Sequence, residues 1–435
     1  MNIKSSSSLS STANVDTEKL HNLVGFWILG FINNIGYVIM IAGAQEIIAG
    51  GVGLVYLVDI FPALLIKLSG PYWFQLVSYR YRTITGSIWM FLSFLIVAKG
   101  SHSLWLQLLG VAFSGLQSGM MEASFLAMSS FYTSPIRCLT CWSSGTGLAG
   151  VGGYAWVAMF HLYADLSFQT TLELAMIMFP LLYVLVFLFV LDTSKLPPAR
   201  TCSYMSISEK DGVTETVMAV VDHTKDQYQQ KMKEIKCVKS REEPSSFIDA
   251  STMQYKEKMR FILTLGPYII PLTMVYWAEY TMQTGVWSAI GFPVDSKEAR
   301  THFYAAAGFT YQAGVFISRS SGVLFQATRP ILYLMPALQM VLLGFFTIVA
   351  ATHFWYNWGL LFVCFVVGLL GGGVYVNAYT LLSKEIPLSH VELALVAVSV
   401  GDTVGVMFAD CAGLFLQGCL YSINHLSGAS MNVAC

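Results

Sequence analysis

The sequence is built around long apolar segments of about 20 residues or more, separated by short polar stretches. Only 11% of the residues are charged, whereas a typical soluble domain carries about 25%. An α-helix needs about 20 apolar residues to cross a bilayer, and no small-residue cleavage site follows the first run. We therefore predict an all-α membrane protein that retains its first segment and crosses the bilayer about eleven times.

The predicted spans are 24–46, 52–70, 83–99, 104–132, 141–161, 169–191, 261–289, 302–319, 330–352, 356–383 and 390–424. The last span is long enough for one tilted helix, or for a break near Gly413 or Gly418.

Polar segments divide the predicted helices into two groups. Residues 1–22 are Ser-rich and are predicted to form a disordered cytosolic tail. Residues 192–258 carry alternating charges and are predicted to form a flexible cytosolic linker. The linker separates a six-helix bundle at 23–191 from a five-helix bundle at 259–425, and residues 426–435 form a C-terminal tail.

A weak internal repeat supports this division. Gly115-Leu116-x-x-Gly119 in the fourth span is matched by Gly368-Leu369-x-x-Gly372 in the tenth. Two halves repeated in parallel are typical of the major facilitator fold, which predicts a major-facilitator-like 6+5 arrangement. Patterns of small residues at this spacing also occur in most helical membrane proteins, because they let two backbones approach closely.

Basic residues predict the orientation of the chain. If the N-terminus is cytosolic, only three of the 24 lysines and arginines lie on the far side, namely Lys99, Lys297 and Arg300. Such an excess on one side favours a cytosolic N-terminus. With an odd number of spans, the C-terminus faces away from the cytosol.

Several kinds of function are disfavoured. The net charge of −1 argues against a nucleic-acid partner. The sequence lacks the G-x-x-x-x-G-K-[ST], H-E-x-x-H and G-x-S-x-G motifs, so an ATP-driven pump or a hydrolase is not expected. The eight cysteines are scattered, and Cys138 and Cys141 are interpreted as unpaired thiols on a short loop. Without a second cysteine pair at suitable spacing, we expect no metal site and no cofactor.

Charged residues within the spans mark the candidate site, because a charge in a membrane is costly. The central charges are all acidic, and Lys67 and Arg319 are placed nearer the cytosolic ends. The acidic residues are Asp59, Glu122, Glu279, Asp402 and Asp410. Burial favours the protonated form of a carboxyl group, so proton coupling is one hypothesis. The alternative is a structural ion pair with Lys67 or Arg319 that locks a closed state. We assign Asp59, Glu122, Arg319 and Asp402 to proton coupling or gating.

A second set of residues is predicted to bind substrate. Tyr276, Glu279, Tyr280 and Gln283 share one helix face, and the preceding Pro267 and Pro271 favour a kink. Asn33, Asn34 and Tyr37 form a comparable face on the first span, and Gln312 and Asn377 add polar groups from the eighth and tenth spans. We expect these faces to meet around a central cavity.

Arg319 permits two interpretations. A guanidinium group matches a phosphate with two parallel hydrogen bonds, so Arg319 is a candidate phosphate ligand. An arginine at a cytosolic helix end is more often an anchor, and we favour an anchor or a gate.

Several short motifs together resemble the battenin family, and the resemblance covers residues 22 to about 410. The motifs are Val24-Gly25-Phe26-Trp27, Asn33-Asn34, Tyr37-Val38-Ile39-Met40, Asp59-Ile60, Ile66-Lys67-Leu68, Trp142-Ser143-Ser144-Gly145-Thr146-Gly147, Ala278-Glu279-Tyr280, Tyr311-Gln312-Ala313-Gly314-Val315-Phe316, Ser318-Arg319-Ser320-Ser321 and Leu369 to Asn377. The resemblance implies a lysosomal, late-endosomal or vacuolar membrane protein related to the major facilitator superfamily. It also implies export of glycerophosphodiesters, with effects on lysosomal pH and on basic amino-acid balance.

Three hypotheses remain open. The first is a facilitator-type transporter, not an enzyme, that exports glycerophosphodiesters and is coupled to protons. The second is transport of basic amino acids such as arginine, which an acidic cavity would suit. The third is a non-transporting regulator of trafficking and pH that acts through residues 192–258. Tyr204-Met205-Ser206-Ile207 in that segment fits a weak sorting-adaptor pattern.

Overall fold

The computed structural model describes residues 18–43, 47, 52–197, 202–204, 218–220, 253, 255–429, 431, 433 and 435. Residues 1–17 of the predicted tail and most of the predicted linker lie outside these ranges. So do Met205, Ser206 and Ile207 of the adaptor pattern.

The described residues form a helical bundle with one small pair of strands. The helices are α1 Leu20–Ala42, α2 Val52–Trp73, α3 Tyr79–Lys99, α4 Leu104–Met128, α5 Pro135–Val157, α6 Phe168–Leu185, α7 Tyr255–Thr264, α8 Gly266–Thr281, α9 Lys297–Ser320, α10 Arg329–Thr352, α11 Leu360–Glu385, α12 Leu388–Val398 and α13 Val400–Ile423. Strands β1 Cys202–Tyr204 and β2 Met218–Val220 pair antiparallel within the predicted linker. We call α1–α6 the first half and α7–α13 the second half.

Three helices continue as π-helical turns, at Ala158–Tyr163 after α5, Val186–Val190 after α6 and Met282–Val286 after α8. Short 3₁₀ turns lie at Phe74–Leu76, Ser129–Phe131, Thr193–Lys195 and Trp287–Ala289.

Among the described residues, seven helical segments are long and apolar enough to cross a membrane. They are Leu20–Ala42, Leu54–Leu76, Tyr79–Lys99, Phe168–Val190, Arg329–Thr352, Leu360–Glu385 and Ser389–Ile423. A bent pair, Tyr255–Thr264 with Gly266–Ala289, makes an eighth if it is counted as one span. The chain is therefore a multi-pass membrane protein, and α4, α5 and α9 are long helices outside this set. They are rich in Gly, Ser and Thr, and much of their surface packs against other helices.

The first helix begins inside the predicted tail, which corrects the boundary at residue 22. The Glu18 carboxylate is buried and accepts hydrogen bonds from Asn22 Nδ2 at 2.7 Å and from the Thr133 backbone N–H at 2.7 Å. Lys195 Nζ lies 3.1 Å from the same carboxylate. These contacts hold the chain against the α4–α5 turn and the segment after α6, so order extends back to residue 18.

The seventh predicted span is two helices that meet at Leu265 with a bend of 62°. Pro267 lies in the first turn of α8, where its missing N–H leaves no hydrogen bond unmade. A proline at this position favours the start of a new helix over continuation of the preceding one. The kink expected from Pro267 and Pro271 is therefore a break before Pro267.

The last predicted span breaks at Ser399, between α12 and α13, and not at Gly413 or Gly418. Those two glycines lie within α13, where the lack of a side chain lets other parts of the chain pack closely against the helix. A Cβ on Gly413 would lie 2.0 Å from Thr284 Oγ1, and one on Gly418 would lie 2.4 Å from the Met431 carbonyl.

The two glycine motifs of the internal repeat have the same packing role. A Cβ on Gly115 would lie 1.8 Å from the Asp59 carbonyl oxygen, so α4 approaches α2 directly. A Cβ on Gly368 would lie 2.1 Å from the Tyr311 carbonyl oxygen, so α11 approaches α9 in the same way. Both contacts follow from the absence of a side chain, which lets helix backbones meet in a membrane.

Two of the eight cysteines are joined in a disulfide. Cys419 at the end of α13 forms a disulfide with Cys435. Cys138 and Cys141 are free thiols, as expected, but they lie in the first turns of α5 and not on a loop. The disulfide ties the C-terminal tail back to the helix from which it emerges.

Candidate functional site

A cavity of about 80 Å³ lies in the middle of the bundle, with room for a small cluster of water molecules. Both halves of the chain contribute to its wall. The lining residues are Asn34, Tyr37, Asp59, Ile60, Ala63, Lys67, Ser118, Gly119, Glu122, Tyr276, Tyr280, Arg319, Asp402, Thr403 and Val406. This polar lining inside a membrane bundle makes the cavity the candidate functional site.

Helical spacing brings these side chains together. Asp59, Ala63 and Lys67 recur every four residues and therefore share one face of α2. Tyr276 and Tyr280 follow the same spacing on α8. The close packing of α4 on α2 sets the depth of the cavity on that side.

Lys67 joins the two halves at the centre of the cavity. Its Nζ lies 2.7 Å from Glu122 Oε2 on α4 and 2.9 Å from Asp402 Oδ1 on α13. Tyr375 of α11 donates a hydrogen bond of 2.7 Å to the other oxygen of Glu122. The lysine is buried, so its charge is compensated by two carboxylates and not by water.

Within the described chain, Arg319 of α9 donates its side-chain hydrogen bonds to neutral groups, and the charge of Glu122 lies near it. Its Nη1 donates to Thr146 Oγ1 at 2.8 Å, and its Nη2 donates to the Tyr276 hydroxyl at 2.7 Å. The guanidinium stacks on the Tyr375 ring at 4.1 Å from the ring centre, and its Nε has no hydrogen-bond partner. Arg319 is 9% exposed and lies on the cavity wall, which contradicts the interpretation of an anchor at the membrane surface.

Three buried carboxylates in the described part of the chain have oxygens without a hydrogen-bond partner. They are Oδ1 of Asp59, Oε2 of Glu279 and both oxygens of Asp410. Asp59 lines the cavity, whereas Glu279 and Asp410 do not. The prediction that the central charges are all acidic was therefore wrong, because Lys67 and Arg319 lie among them.

Tyrosine rings from both halves surround one side of the cavity. The Tyr37 ring centre is 6.3 Å from that of Tyr56, which in turn is 6.4 Å from that of Tyr280. Tyr280 stacks on Tyr276 at 5.8 Å. These edge and stacked contacts link α1 and α2 of the first half to α8 of the second.

Two sequence motifs meet across the halves. Ser144 of α5 and Ser320 of α9 share a hydrogen bond of 2.9 Å, and Trp27 Nε1 donates to Ser144 at 3.1 Å. A Cβ on Gly147 would lie 3.0 Å from the Phe316 Cα, so α5 and α9 pack closely beside Arg319. The Ser144-Gly145-Thr146 segment therefore serves as the docking face for the Ser318-Arg319-Ser320 segment.

Eight of the predicted site residues line the cavity. They are Asn34, Tyr37, Tyr276 and Tyr280 from the predicted substrate-binding set, and Asp59, Glu122, Arg319 and Asp402 from the predicted coupling or gating set. Their roles remain predictions.

Asn33 and Asn377 lie elsewhere and support the scaffold. Asn33 is fully buried in the first half, where its Oδ1 accepts hydrogen bonds from Gln117 and Tyr183. Asn377 accepts from the Ala327 backbone N–H at 2.6 Å and thereby holds the turn before α10. Their amides are satisfied by these partners, and neither residue is among those that line the cavity, so their predicted role in substrate binding stays a prediction.

Glu279, Gln283 and Gln312 also lie outside the cavity wall. Glu279 is 2% exposed and points at α11, where a Cβ on Gly371 would lie 1.8 Å from its Oε2. The Gln283 side chain donates to the Glu279 carbonyl. Gln312 packs against Gly150 of α5. Glu279 and Gln312 thus contact neighbouring helices, and the Gln283 hydrogen bond stays within its own helical segment.

Sequence reasoning missed Tyr375 and misplaced Lys67, although the predicted ion pair between Lys67 and a carboxylate is confirmed. Lys67 was assigned to a helix end because of its charge, although it lies eight residues after Asp59 and so on the same helix face. Tyr375 follows the glycine run Gly371 to Gly373 in an otherwise apolar helix, and nothing in the spacing singles it out.

The fold is that of the major facilitator transporters. The chain resembles the human organic anion transporter MFSD10 (TETRAN) with a TM-score of 0.55 and 11% identity, over 93% of this chain and 95% of that one. It resembles the Escherichia coli fucose:proton symporter FucP with a TM-score of 0.50 and 10% identity, over 93% and 98% of the chains. At such low identity the likeness concerns the fold alone.

Sequence comparison gives the family. A family model described as CLN3 protein matches residues 24–423. Protein btn-1 of Neurospora crassa is 31% identical over 92% of this chain and 89% of its own length. Protein BTN1 of Saccharomyces cerevisiae is 30% identical over 90% and 93%. The chain belongs to the CLN3, or battenin, family, which confirms the resemblance drawn from the motifs.

Proposed function

We propose that this chain is a transporter of the lysosomal or vacuolar membrane that exports glycerophosphodiesters. The observation that supports this most is the setting of Arg319, a buried cation on the cavity wall that has no carboxylate partner within the described chain. A phosphodiester carries one negative charge, and burying it requires a positive partner. Arg319 can supply that charge, because its hydrogen bonds go to neutral hydroxyl groups and it forms no ion pair among the described residues.

The geometry of the guanidinium also suits phosphate. Arginine presents a planar fork of donors that matches two phosphate oxygens at once. The unpartnered Nε of Arg319 is one such donor, and the Tyr276 hydroxyl is a neutral partner that an entering phosphate would displace. Asn34, Ser118 and Thr403 offer polar groups for the glycerol hydroxyls.

Lys67 is less suited to bind the anion. Its ammonium group is already held between Glu122 and Asp402, so the cluster as a whole carries an excess of negative charge. We assign this cluster to gating, because it joins helices of opposite halves. Its contacts would break when the halves separate.

The proposal includes an arrangement of eleven spans in six plus five, with a cytosolic N-terminus. The pairing of α2 with α4 and of α9 with α11 supports a repeat of the two halves. The Cys419–Cys435 disulfide supports a lumenal C-terminus, because disulfides persist in oxidising compartments and are rare in the cytosol. Coupling to protons would connect transport to lysosomal pH.

Transport of a basic amino acid is the second candidate. It is favoured by Asp59, which lines the cavity with an unpartnered oxygen that could receive a cationic group. The two candidates therefore differ in which charged residue meets the substrate, Arg319 or Asp59.

Counterflow into proteoliposomes distinguishes the two candidate functions. Wild-type protein should exchange labelled glycerophosphocholine, and Arg319→Lys should lower the exchange by about tenfold or more, because the planar fork is lost. Arg329→Lys is the matched control, since Arg329 is an exposed residue paired with Glu385. Exchange of arginine with none of glycerophosphocholine would contradict the proposal.

A further inference from the structure

Two acidic residues of the bundle lie outside the Lys67 cluster and on opposite halves, Asp59 on α2 and Asp410 on α13. Asp410 is 0% exposed, and neither of its oxygens has a hydrogen-bond partner. Asp59 is 3% exposed, and its Oδ1 is also without one. α2 and α13 meet at Lys67 and Asp402, and Asp59 and Asp410 each lie eight residues from that contact.

The groups around this pair are hydroxyls. Ser114 of α4 lies beside Asp59, and three tyrosines from other helices lie near enough to Asp410 for electrostatic interaction. They are Tyr37 of α1, Tyr280 of α8 and Tyr304 of α9. No lysine or arginine of the described residues forms an ion pair or hydrogen bond with either aspartate. Lys67 shares α2 with Asp59, but its ammonium group is directed to Glu122 and Asp402.

Burial without a hydrogen-bond donor determines whether these carboxyl groups are protonated or ionised. An ionised carboxylate that has lost its water needs a cation or hydrogen-bond donors, and Asp410 has neither. Two carboxylates that approach each other cannot both remain charged at low cost. One added proton lowers both costs, since it neutralises one of the two charges and so removes the repulsion between them.

We propose that Asp59 and Asp410 form a proton-binding site shared between the two halves, which rests on the proposed transport function. Asp59 lines the cavity and Asp410 does not, so the proton enters and leaves by way of Asp59. The proton binds while the two helices are together. It is released to the cavity when the halves separate and Asp59 regains water.

This assignment separates coupling from gating. Glu122 and Asp402 are both bound to Lys67, which joins helices of opposite halves, so they act as the gate. Asp59 and Asp410 are therefore the carboxyl groups that bind the coupled proton. Glu279 is a third buried carboxyl group with an unpartnered oxygen, but it lies against α11 of its own half and away from the cavity wall.

Infrared difference spectroscopy of the purified full-length protein tests the site without any substrate. Spectra recorded while the pH is raised should show the loss of the band of a protonated carboxyl group. Asp410→Asn should remove a component of that band, and Asp59→Asn should remove the same component. Asparagine has nearly the shape of a protonated aspartate, so both variants should fold, and thermal unfolding verifies this. Glu279→Gln is the matched control and should leave the component in place.

Two results would overturn the proposal. One is an unchanged band in both aspartate variants. The other is loss of the band when sodium is added at constant pH, which would assign the pair to a metal cation. Proteoliposomes then connect the site to transport, since Asp410→Asn should retain counterflow of glycerophosphocholine and lose accumulation driven by a pH gradient. Absence of counterflow in the wild type would contradict the transport function and leave the infrared result standing.

Discussion

Lys67 Nζ lies 2.9 Å from Asp402 Oδ1 and so connects two residues that are 335 positions apart in the chain. The contact joins α2 of the first half to α13 of the second, in the middle of the bundle. Glu122 completes the cluster at 2.7 Å on the other side of the ammonium group. The two halves are thus held together at their centre by a buried charge network.

Removal of Lys67 should destabilise the protein strongly. Lys67→Met leaves Glu122 and Asp402 buried and facing each other without a cation, and we expect a loss of about 3–5 kcal/mol of unfolding free energy. Thermal or denaturant unfolding in detergent measures it. Lys99→Met is the control, because Lys99 forms an exposed pair with Glu173 and should lose at most about 1 kcal/mol.

The double variant Lys67→Met with Asp402→Asn should regain part of the stability that Lys67→Met loses, because one of the two uncompensated charges is gone. If the stability losses of Lys67→Met and Asp402→Asn simply add in the double variant, the contact does not hold the halves together.

The close approach of α4 to α2 should make Gly115 intolerant of any side chain. In Gly115→Ala the new Cβ would lie 1.8 Å from the Asp59 carbonyl oxygen, so the helices must separate. We expect a loss of about 1–3 kcal/mol of stability and a lower yield of folded protein. Gly344→Ala, in α10, has nothing within 4 Å and should be neutral or slightly stabilising. Similar behaviour of the two variants would argue against this packing.

Glu18 should contribute stability that depends on pH. Burial alone would raise the pKa of Glu18, but hydrogen bonds from Asn22 and Lys195 and the charge of Lys195 outweigh it and lower the pKa below 4.5. The contribution is therefore present above pH 4.5 and is lost as the pH falls through the lowered pKa. At pH 7, Glu18→Gln should cost about 1–3 kcal/mol.

The unfolding temperatures of wild type and Glu18→Gln, followed from pH 7 to about pH 3, measure this contribution. The difference between the two unfolding temperatures should become smaller only at the acidic end of this pH range. A difference that stays constant over the whole range would show that Glu18 acts by packing and not by charge.

The disulfide should report the side of the membrane on which the chain ends. In sealed, right-side-out lysosomes or vacuoles treated with a permeant reductant, Cys435 should resist an impermeant thiol reagent added outside and react once the membrane is permeabilised. Cys435→Ser identifies the labelled site. This variant also loses the stabilisation that the disulfide gives to the tail, about 3 kcal/mol by the loop-closure model. Labelling from outside the intact organelle would place the C-terminus in the cytosol.

Much of the helical content follows from local composition, and the sequence therefore predicts it well. The predicted third span, 83–99, lies within Tyr79–Lys99, and the predicted ninth, 330–352, lies within Arg329–Thr352. Apolar length alone determines these segments. The break at Ser399 was not predictable in this way, because no proline lies beside it and Gly401 is one of several glycines in the segment.

The candidate site was less predictable because it depends on partners that are distant in sequence. Tyr276, Glu279, Tyr280 and Gln283 share one broad helix face, yet only the tyrosines reach the cavity. Glu279 turns aside into the space left by Gly371, which lies on another helix. Lys67 can lie at the centre because Glu122 and Asp402 compensate its charge. The sequence suggested an ion pair with Lys67, but neither periodicity nor charge counting shows which carboxylates form it.

The content of isolated lysosomes or vacuoles tests the central claim most directly. Organelles from cells that lack this protein should accumulate glycerophosphodiesters, measured by mass spectrometry. Wild-type protein and Arg329→Lys should clear them, whereas Arg319→Lys at equal abundance should not. Full clearance by Arg319→Lys, or accumulation of arginine with normal glycerophosphodiesters, would contradict a cavity that receives the phosphate at Arg319.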